Sequence, residues 1–74
     1  TGPYDLVAAN ITAPTLIDMA ADLTRLTAPA GLLLLTGILA EYSREIITVY
    51  DEQGLQLVRY EDQEEWRLLE LKHA

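Results

Sequence analysis

Two short runs of this sequence are apolar at every position, and each one leads into a stretch with helical periodicity. The first, residues 6–9, is bounded by Asp5 and Asn10, and the second, residues 32–35, lies between two glycines. Continuous apolar runs of this length are typical of strands in a parallel sheet, which are covered on both faces. The sequence therefore predicts two parallel strands, the second of them in the centre of a sheet.

A helix is predicted between these strands. Pro14 has the fixed φ and the missing N–H that suit a first helical turn, and the apolar residues of 14–26 recur near the 3.6-residue period. The segment `TAPAG`, residues 27–31, is predicted to end this helix and turn the chain. Pro29 cannot continue a helix, and Gly31 tolerates positive φ.

The remaining sequence predicts one more helix and two more strands. The helix covers residues 41–53, with acidic residues near its start and Gly54 just past its end. The runs `LQLVRY` and `EWRLLELK` have strand character, and the short segment `EDQEE` between them forces an antiparallel pair. `EDQEE` lacks the spacing of a calcium loop and is predicted to be a solvated turn. The predicted fold is therefore one α/β domain of order β-α-β-α-β-β, with right-handed crossovers.

Composition limits the partners of this chain. Its 74 residues include 12 acidic and 5 basic side chains, for a net charge of −7. Such a charge repels phosphate backbones and anionic lipids, so neither nucleic acid nor membrane is expected as a direct partner. It favours a basic protein partner, although acidic residues also serve solubility alone. The lack of Cys is compatible with a cytoplasmic protein and, with a single His, predicts no metal site.

Asn10 raises the functional question, because it is a polar residue at the end of an apolar strand. In open α/β sheets, ligands bind at the carboxyl ends of the strands. Asn10 is also well placed to cap the following helix or to form a turn. Thr36 and Gly37 hold the corresponding position after the second strand, where they either line a pocket or turn the chain. The residues alone leave both interpretations open.

The other aromatic residues and the histidine have structural interpretations. Trp66 is expected to be an edge or core aromatic residue rather than a stacking platform. Tyr42, Tyr50 and Tyr60 are expected to pack with solvated hydroxyls, and His73 to be frayed and solvated near the chain end.

Four segments carry a resemblance to a known family: `YDLVAANI`, `PAGLLLLTGIL`, `EIITVYDEQGLQLV` and `EEWRLLELK`. In this order they resemble the carboxyl half of the class I S-adenosylmethionine-dependent methyltransferases, and within that class the bacterial family that methylates ribosomal protein L11. The resemblance covers nearly the whole chain. It implies a Rossmann-like sheet in which residues 5–9 and 32–36 are the fourth and fifth of seven strands. The final hairpin would supply the sixth and seventh strands, the last one antiparallel.

The resemblance also implies a site. Asn10 falls where related amino-methylating enzymes carry an acidic or amide residue facing the transferred methyl, which implies a catalytic and cofactor-binding role. Ile11, Thr36 and Gly37 would belong to the substrate pocket, S-adenosylmethionine would be the cofactor, and a basic ribosomal protein the substrate. Related enzymes acting on nucleobase or glutamine nitrogens show Asn-Pro-Pro-aromatic here, whereas this chain has `NITA`. That departure favours an aliphatic amine, such as lysine or an N-terminal amino group.

Methyltransferases of this fold hold the cofactor mainly on a glycine-rich loop, but this chain has Gly only at positions 2, 31, 37 and 54, without a G-x-G cluster. We therefore expect residues 1–74 to be a partial domain, the second half of a catalytic domain, inactive alone. The exposed edge of its first strand is expected to promote self-association. Two alternatives stay open: a methyltransferase of another substrate class, such as a small molecule or RNA, and a non-enzymatic acidic α/β interaction module.

Overall fold

A computed structural model describes residues 2–74. In chain order the elements are β1 (Tyr4–Asn10), α1 (Ala13–Asp18), α2 (Ala20–Leu26), β2 (Thr27–Leu39), a 3₁₀ turn (Ala40–Tyr42), α3 (Ser43–Glu52), β3 (Leu55–Gln63) and β4 (Trp66–His73). The strands form one four-stranded sheet in the order β1-β2-β4-β3. This arrangement confirms the predicted α/β class. No helix within residues 2–74 has the length and apolar character needed to cross a membrane.

The strand pairing has the predicted directions. β1 and β2 are parallel, with Asn10 opposite Thr36. β4 lies between β2 and β3 and is antiparallel to both of them. The predicted central strand, terminal hairpin and antiparallel last strand are therefore confirmed.

The three helices and the sheet enclose one apolar core. Along β2 the deeply buried residues alternate with half-buried ones, so that Leu33 and Leu35 are fully buried while their neighbours are not. This period of two arises because successive side chains of a strand point to opposite faces. The core residues, each at most 9% exposed, are Ala13, Leu16, Ala20, Leu23, Leu33, Leu35, Ile38, Ile46, Tyr50, Leu55, Leu69 and Leu71.

The helix predicted over residues 14–26 is instead two short helices. α1 and α2 are separated at Met19, which has φ −93° and ψ 7°. Near this break the carbonyl oxygen of Leu16 accepts a hydrogen bond from the hydroxyl of Tyr50 at 2.6 Å. The Tyr50 side chain is fully buried, so the solvated hydroxyl predicted for it is wrong.

The turn predicted for residues 27–31 is also wrong, because these residues begin β2 and Thr27 already pairs with Tyr4. The helix does end at Leu26, but the chain then continues extended, with an irregular register against β1. Gly31 does not have positive φ. A Cβ at this position would lie 2.8 Å from the carbonyl oxygen of Asp5, so Gly31 allows close approach of the two strands.

β1 is an outer strand rather than a strand covered on both faces. Tyr4 is 49% exposed and Leu6 is 59% exposed, while Val7 and Ala9 pack against the core. The prediction failed because an apolar run indicates avoidance of water but does not specify which neighbours cover the strand.

The β3–β4 connection is tighter than the predicted turn. Only Glu64 and Glu65 lie between the strands, because the preceding acidic residues continue β3. Glu64 has φ 58°, in the left-handed region that two-residue hairpin loops use. At the other end of β4 the His73 ring nitrogen Nε2 lies 2.8 Å from the carbonyl oxygen of Thr27. The expected frayed and solvated histidine is therefore wrong.

Candidate functional site

Polar and aromatic residues from three strands meet at one edge of the sheet. The carboxyl ends of β1 and β2 lie together because these strands are parallel. β4 runs antiparallel to β2, so its first residue lies at this same edge. We call this region, which contains Asn10, Gly37 and Trp66, the carboxyl edge. It corresponds to the ligand-binding edge of open α/β sheets.

The carboxyl edge brings Asn10 and Gly37 into direct contact. A Cβ built on Gly37 would overlap Oδ1 of Asn10, so any other residue at this position would displace the Asn10 side chain. Gly37 has φ +73°, a second reason for glycine at this position. Next to it, the Thr36 hydroxyl donates to the carbonyl oxygen of Ala9 at 3.4 Å and joins the ends of the two strands.

The Asn10 side chain is exposed, and its amide has no hydrogen-bond partner among residues 2–74. The N-cap position of α1 belongs to Thr12, whose hydroxyl lies 3.0 Å from that of Thr15. The interpretation of Asn10 as a helix cap is therefore wrong. Ile11, the other predicted site residue on this segment, is half-buried and packs against the apolar core.

Two grooves open at the carboxyl edge. The aromatic groove, of about 340 Å³, is lined by Thr12, Ala13, Pro14, Ile17, Gly37, Leu39, Tyr42, Glu45 and Trp66. The arginine groove, of about 430 Å³, is lined by Thr36, Gly37, Glu61, Asp62, Gln63, Trp66, Arg67 and Leu68. Gly37 and Trp66 line both grooves, so both grooves adjoin the residue that Asn10 contacts.

Arg67 is fully engaged by neighbouring side chains in the arginine groove. Its guanidinium donates to both carboxylate oxygens of Asp62, at 2.5 and 3.0 Å, and to the Ser43 hydroxyl oxygen at 2.9 Å. It also lies 4.3 Å from the ring centroid of Tyr60. The hydrogen bond from Arg67 holds the pKa of Asp62 below its ordinary value, and the same bond raises the pKa of Arg67. Through these contacts Arg67 joins the β3–β4 hairpin to the start of α3.

The sequence interpretation missed the exposed aromatic residues. Tyr42 is 43% exposed and Trp66 is 46% exposed, and both face the aromatic groove. An available signal was the direction of the last strand, because an antiparallel strand begins at the edge where its parallel neighbours end. That rule alone would have placed Trp66 at the carboxyl edge.

The sequence matches, over residues 1–74, the family model described as ribosomal protein L11 methyltransferase (PrmA). A relative of that name from Geotalea daltonii is 41% identical over 71 residues, which are 96% of this chain and 23% of the relative. A relative from Geobacter metallireducens is 43% identical over 68 residues, 92% of this chain and 23% of the relative. The chain thus spans about a quarter of the length of these curated relatives.

Solved methyltransferase structures share this fold. A ribosomal protein L11 methylase from Lactobacillus delbrueckii subsp. bulgaricus has a TM-score of 0.89 and 25% identity, covering 97% of this chain and 37% of that one. A complex described as M1.HpyAVI-SAM has a TM-score of 0.77 at 13% identity, covering 93% of this chain and 44% of that one. The second similarity shows the fold alone. Together these structures confirm the predicted Rossmann-like methyltransferase architecture.

Proposed function

This chain belongs to the ribosomal protein L11 methyltransferase family, and from that premise we propose that it forms the acceptor side of an enzyme that methylates amines of a ribosomal protein. In this proposal residues 1–74 are the second half of the catalytic domain and are inactive alone. The match to only 23% of the Geotalea relative supports this division. The lack of a G-x-G cluster in the sequence also supports it.

The observation that carries the proposal is the free amide of Asn10 at the carboxyl edge. Its oxygen contacts Gly37, and its hydrogen-bonding groups have no partner in the described part of the chain. An amide oxygen accepts a hydrogen bond from an amine N–H. An amide is too weak a base to remove the proton of an ammonium group, so Asn10 contributes orientation.

S-adenosylmethionine, when bound, supplies a methyl group attached to a positively charged sulfur. The acceptor amine must be neutral, because its lone pair forms the new C–N bond while the electrons of the C–S bond remain on sulfur. The amine therefore loses a proton to solvent before transfer and a second proton after it. By accepting one N–H, Asn10 Oδ1 aims the lone pair at the methyl carbon.

The residues of the carboxyl edge fit one end of this cofactor. Gly37 has no side chain and the Asn10 amide beside it is exposed, so a small group such as the methyl-bearing end can approach the amide. The nucleoside end requires a glycine-rich loop, which the sequence does not contain. We therefore assign Asn10 to the methyl end, and propose that Gly37 lies in the substrate pocket, with Thr36 and Ile11 next to it at the ends of the two parallel strands.

The proposed substrate is an aliphatic amine of a basic protein. The net charge of −7 favours a basic partner and disfavours direct contact with RNA. A ribosomal protein substrate places the reaction in the cytoplasm. We further propose that the isolated chain self-associates through the free edge of β1, where Tyr4 and Leu6 are exposed. Family membership favours this enzymatic role over the alternative of an acidic interaction module.

Calorimetric titration with S-adenosylhomocysteine tests the proposal. The chain is titrated alone, and then as a chimera in which it replaces the matching 71 residues of the Geotalea daltonii relative. We expect binding only in the chimera, together with methylation of ribosomal protein L11 by the chimera. Binding or methylation by the chain alone would contradict the division of the domain. A chimera that is folded by circular dichroism but binds nothing would limit the similarity to the fold.

A further inference from the structure

The aromatic groove adjoins the proposed reaction site. One of its lining residues is Gly37, the glycine that Oδ1 of Asn10 contacts. A molecule that fills this groove therefore reaches the backbone beneath the Asn10 amide. The groove volume of about 340 Å³ lies at the small end of the range of ligand sites.

The residues that line this groove are of two chemical kinds. Ile17 from α1 and Leu39 from the end of β2 supply an aliphatic wall. Tyr42 and Trp66 supply aromatic rings, and these rings are 43% and 46% exposed. Aromatic faces attract cations, while aliphatic walls bind hydrocarbon. The groove therefore suits a ligand that has both parts.

Backbone and side-chain hydrogen bonds fix the positions of the two aromatic residues. The N–H of Ala40, two residues before the tyrosine, donates to the carbonyl oxygen of Glu65, the residue before the tryptophan, at 3.1 Å. The Ser43 hydroxyl donates to the Ala40 carbonyl oxygen at 2.8 Å and accepts from Arg67 at 2.9 Å. These bonds join the hairpin to the 3₁₀ turn and to the start of α3, close in sequence to both aromatic residues.

The charges around the groove select a cation. Its lining includes the carboxylate of Glu45, and no Lys or Arg from residues 2–74 takes part. The exposed residues Glu41 and Glu65 directly precede the two aromatic residues in sequence. The groove therefore offers one carboxylate, that of Glu45, beside a largely apolar and aromatic surface.

We propose that the aromatic groove binds the side chain of the lysine that is methylated. Its hydrocarbon stem packs along Ile17 and Leu39 and against the two rings, and its amine reaches Gly37 beneath Asn10. Lysine buries its stem in this way while its nitrogen stays in a polar environment. This inference rests on the proposed function and extends it, because it assigns Tyr42 and Trp66 as specificity residues that bind lysine in its ammonium form, before the amine loses the proton to solvent.

Intrinsic fluorescence provides a direct test, because Trp66 is the only tryptophan of the 74-residue chain. The chain is titrated with Nα-acetyl-lysine amide, and separately with the norleucine and glutamate analogues. We expect a saturable change in Trp66 emission with lysine and affinities that are about tenfold weaker for norleucine. Equal affinity for norleucine or glutamate, or no binding of lysine, would overturn the proposal.

Matched variants locate the binding. Tyr42→Ala should weaken lysine binding about fivefold, and Glu45→Gln about threefold at low salt. Tyr4→Ala and Glu52→Gln remove an exposed tyrosine and an exposed glutamate that do not line the groove, so they should not change the affinity. Circular dichroism verifies that each variant is folded. Equal losses for Tyr42→Ala and Tyr4→Ala would show that lysine binds elsewhere.

The lysine titration requires neither cofactor nor methyl transfer, so its failure is distinguishable from failure of the proposed function. If the chimera methylates ribosomal protein L11 but the titration gives no binding, the groove assignment is wrong and the enzymatic role stands. If lysine binds but the chimera neither binds S-adenosylhomocysteine nor methylates, the enzymatic role is wrong. The groove would then remain a lysine-binding site of another function.

Discussion

Two tyrosines, eight positions apart on the segment from the 3₁₀ turn to α3, show how the core and the carboxyl edge differ. Tyr50 is fully buried and its hydroxyl donates to the Leu16 carbonyl oxygen. Tyr42 is 43% exposed and faces the aromatic groove. The same residue type therefore contributes to stability in one place and presents a binding surface in the other. The two roles differ because the Tyr50 hydroxyl is buried and hydrogen-bonded, whereas the Tyr42 side chain is exposed.

This difference divides the effects of mutations. Changes in the core should lower the free energy of unfolding, while changes at the carboxyl edge should alter binding or catalysis at nearly constant stability. A site built on exposed residues beside a packed sheet can vary without loss of the fold. The following substitutions test this division.

The largest effect is expected from Leu33→Ala. Leu33 is fully buried in the central strand, and such truncations cost about 2–5 kcal/mol of the free energy of unfolding. Leu6→Ala, on the outer strand at 59% exposure, is the matched control and should cost less than about 1 kcal/mol. Urea denaturation followed by circular dichroism measures both, at a protein concentration low enough that the chain does not self-associate through β1. Equal costs would mean that β1 is covered in solution. Burial in the core would then no longer distinguish Leu33 from Leu6.

Asn10→Ala should produce the second largest effect, and on catalysis alone. In the chimera we expect kcat for methylation of ribosomal protein L11 to fall about 100-fold, because the amine loses its orientation. The free energy of unfolding should change by less than about 0.5 kcal/mol, since the side chain is exposed and has no described partner. Mass spectrometry of the methylated protein measures the rate. A large loss of stability with little loss of rate would assign Asn10 to the fold.

Tyr50→Phe tests the buried tyrosine. Without its hydroxyl the Leu16 carbonyl loses a hydrogen bond, and we expect a cost of about 1–2 kcal/mol at neutral pH. Burial raises the pKa of Tyr50 from 10.0 to about 12, so the folded state favours the neutral phenol. The contribution of Tyr50 is thus complete below pH 10 and is lost as the pH rises toward 12.

The difference in stability between the two proteins should therefore narrow above pH 10. Urea denaturation at a series of alkaline pH values measures it, and the phenylalanine variant corrects for every other group that titrates there. A difference that stays constant to pH 12 would place the hydroxyl in solvent. Tyr50 would then resemble Tyr42, and the two tyrosines would no longer differ in the environment of the hydroxyl.

The order and direction of the elements could be predicted from the sequence because they depend on local signals. Each of these signals comes from residues that are close together in sequence: the two apolar runs, the helix before Gly54 and the short acidic connection. Asn10 and Gly37 could be placed at one edge for the same reason, since parallel strands end together. Their direct contact could not be predicted, because it depends on the φ of Gly37 and on the space that a missing Cβ leaves.

The errors concern interactions between distant residues. The break at Met19 accompanies a hydrogen bond between α1 and a tyrosine of α3, which no local periodicity records. Likewise, `TAPAG` has turn composition but pairs with β1, where Gly31 fits against the backbone of Asp5. The surroundings of Trp66 include a contact between the hairpin and the 3₁₀ turn, the hydrogen bond between Ala40 and Glu65, which residues near Trp66 in sequence do not predict. Tertiary contacts override composition in each case.

The smallest effects are expected from a pair of buried threonines on and beside α2. Thr27 Oγ1 donates to the Leu23 carbonyl oxygen at 2.9 Å, whereas Thr24 Oγ1 has no hydrogen-bond partner among residues 2–74. Removing a satisfied hydroxyl loses a hydrogen bond, but removing an unsatisfied buried one relieves a desolvation cost. Thr27→Val should therefore lower the free energy of unfolding by about 1 kcal/mol, and Thr24→Val should raise it by up to about 1 kcal/mol.

The two variants have nearly the same shape change and the same burial, at 2% and 9% exposure, so their difference isolates the hydrogen bond. Urea denaturation under one set of conditions measures both. A loss of stability for Thr24→Val would mean that its hydroxyl has a partner in solution. Thr24 would then stabilise the core as Thr27 and Tyr50 do, through a buried and hydrogen-bonded hydroxyl. The core would then differ more clearly from the carboxyl edge, where the Asn10 amide is exposed and has no described partner.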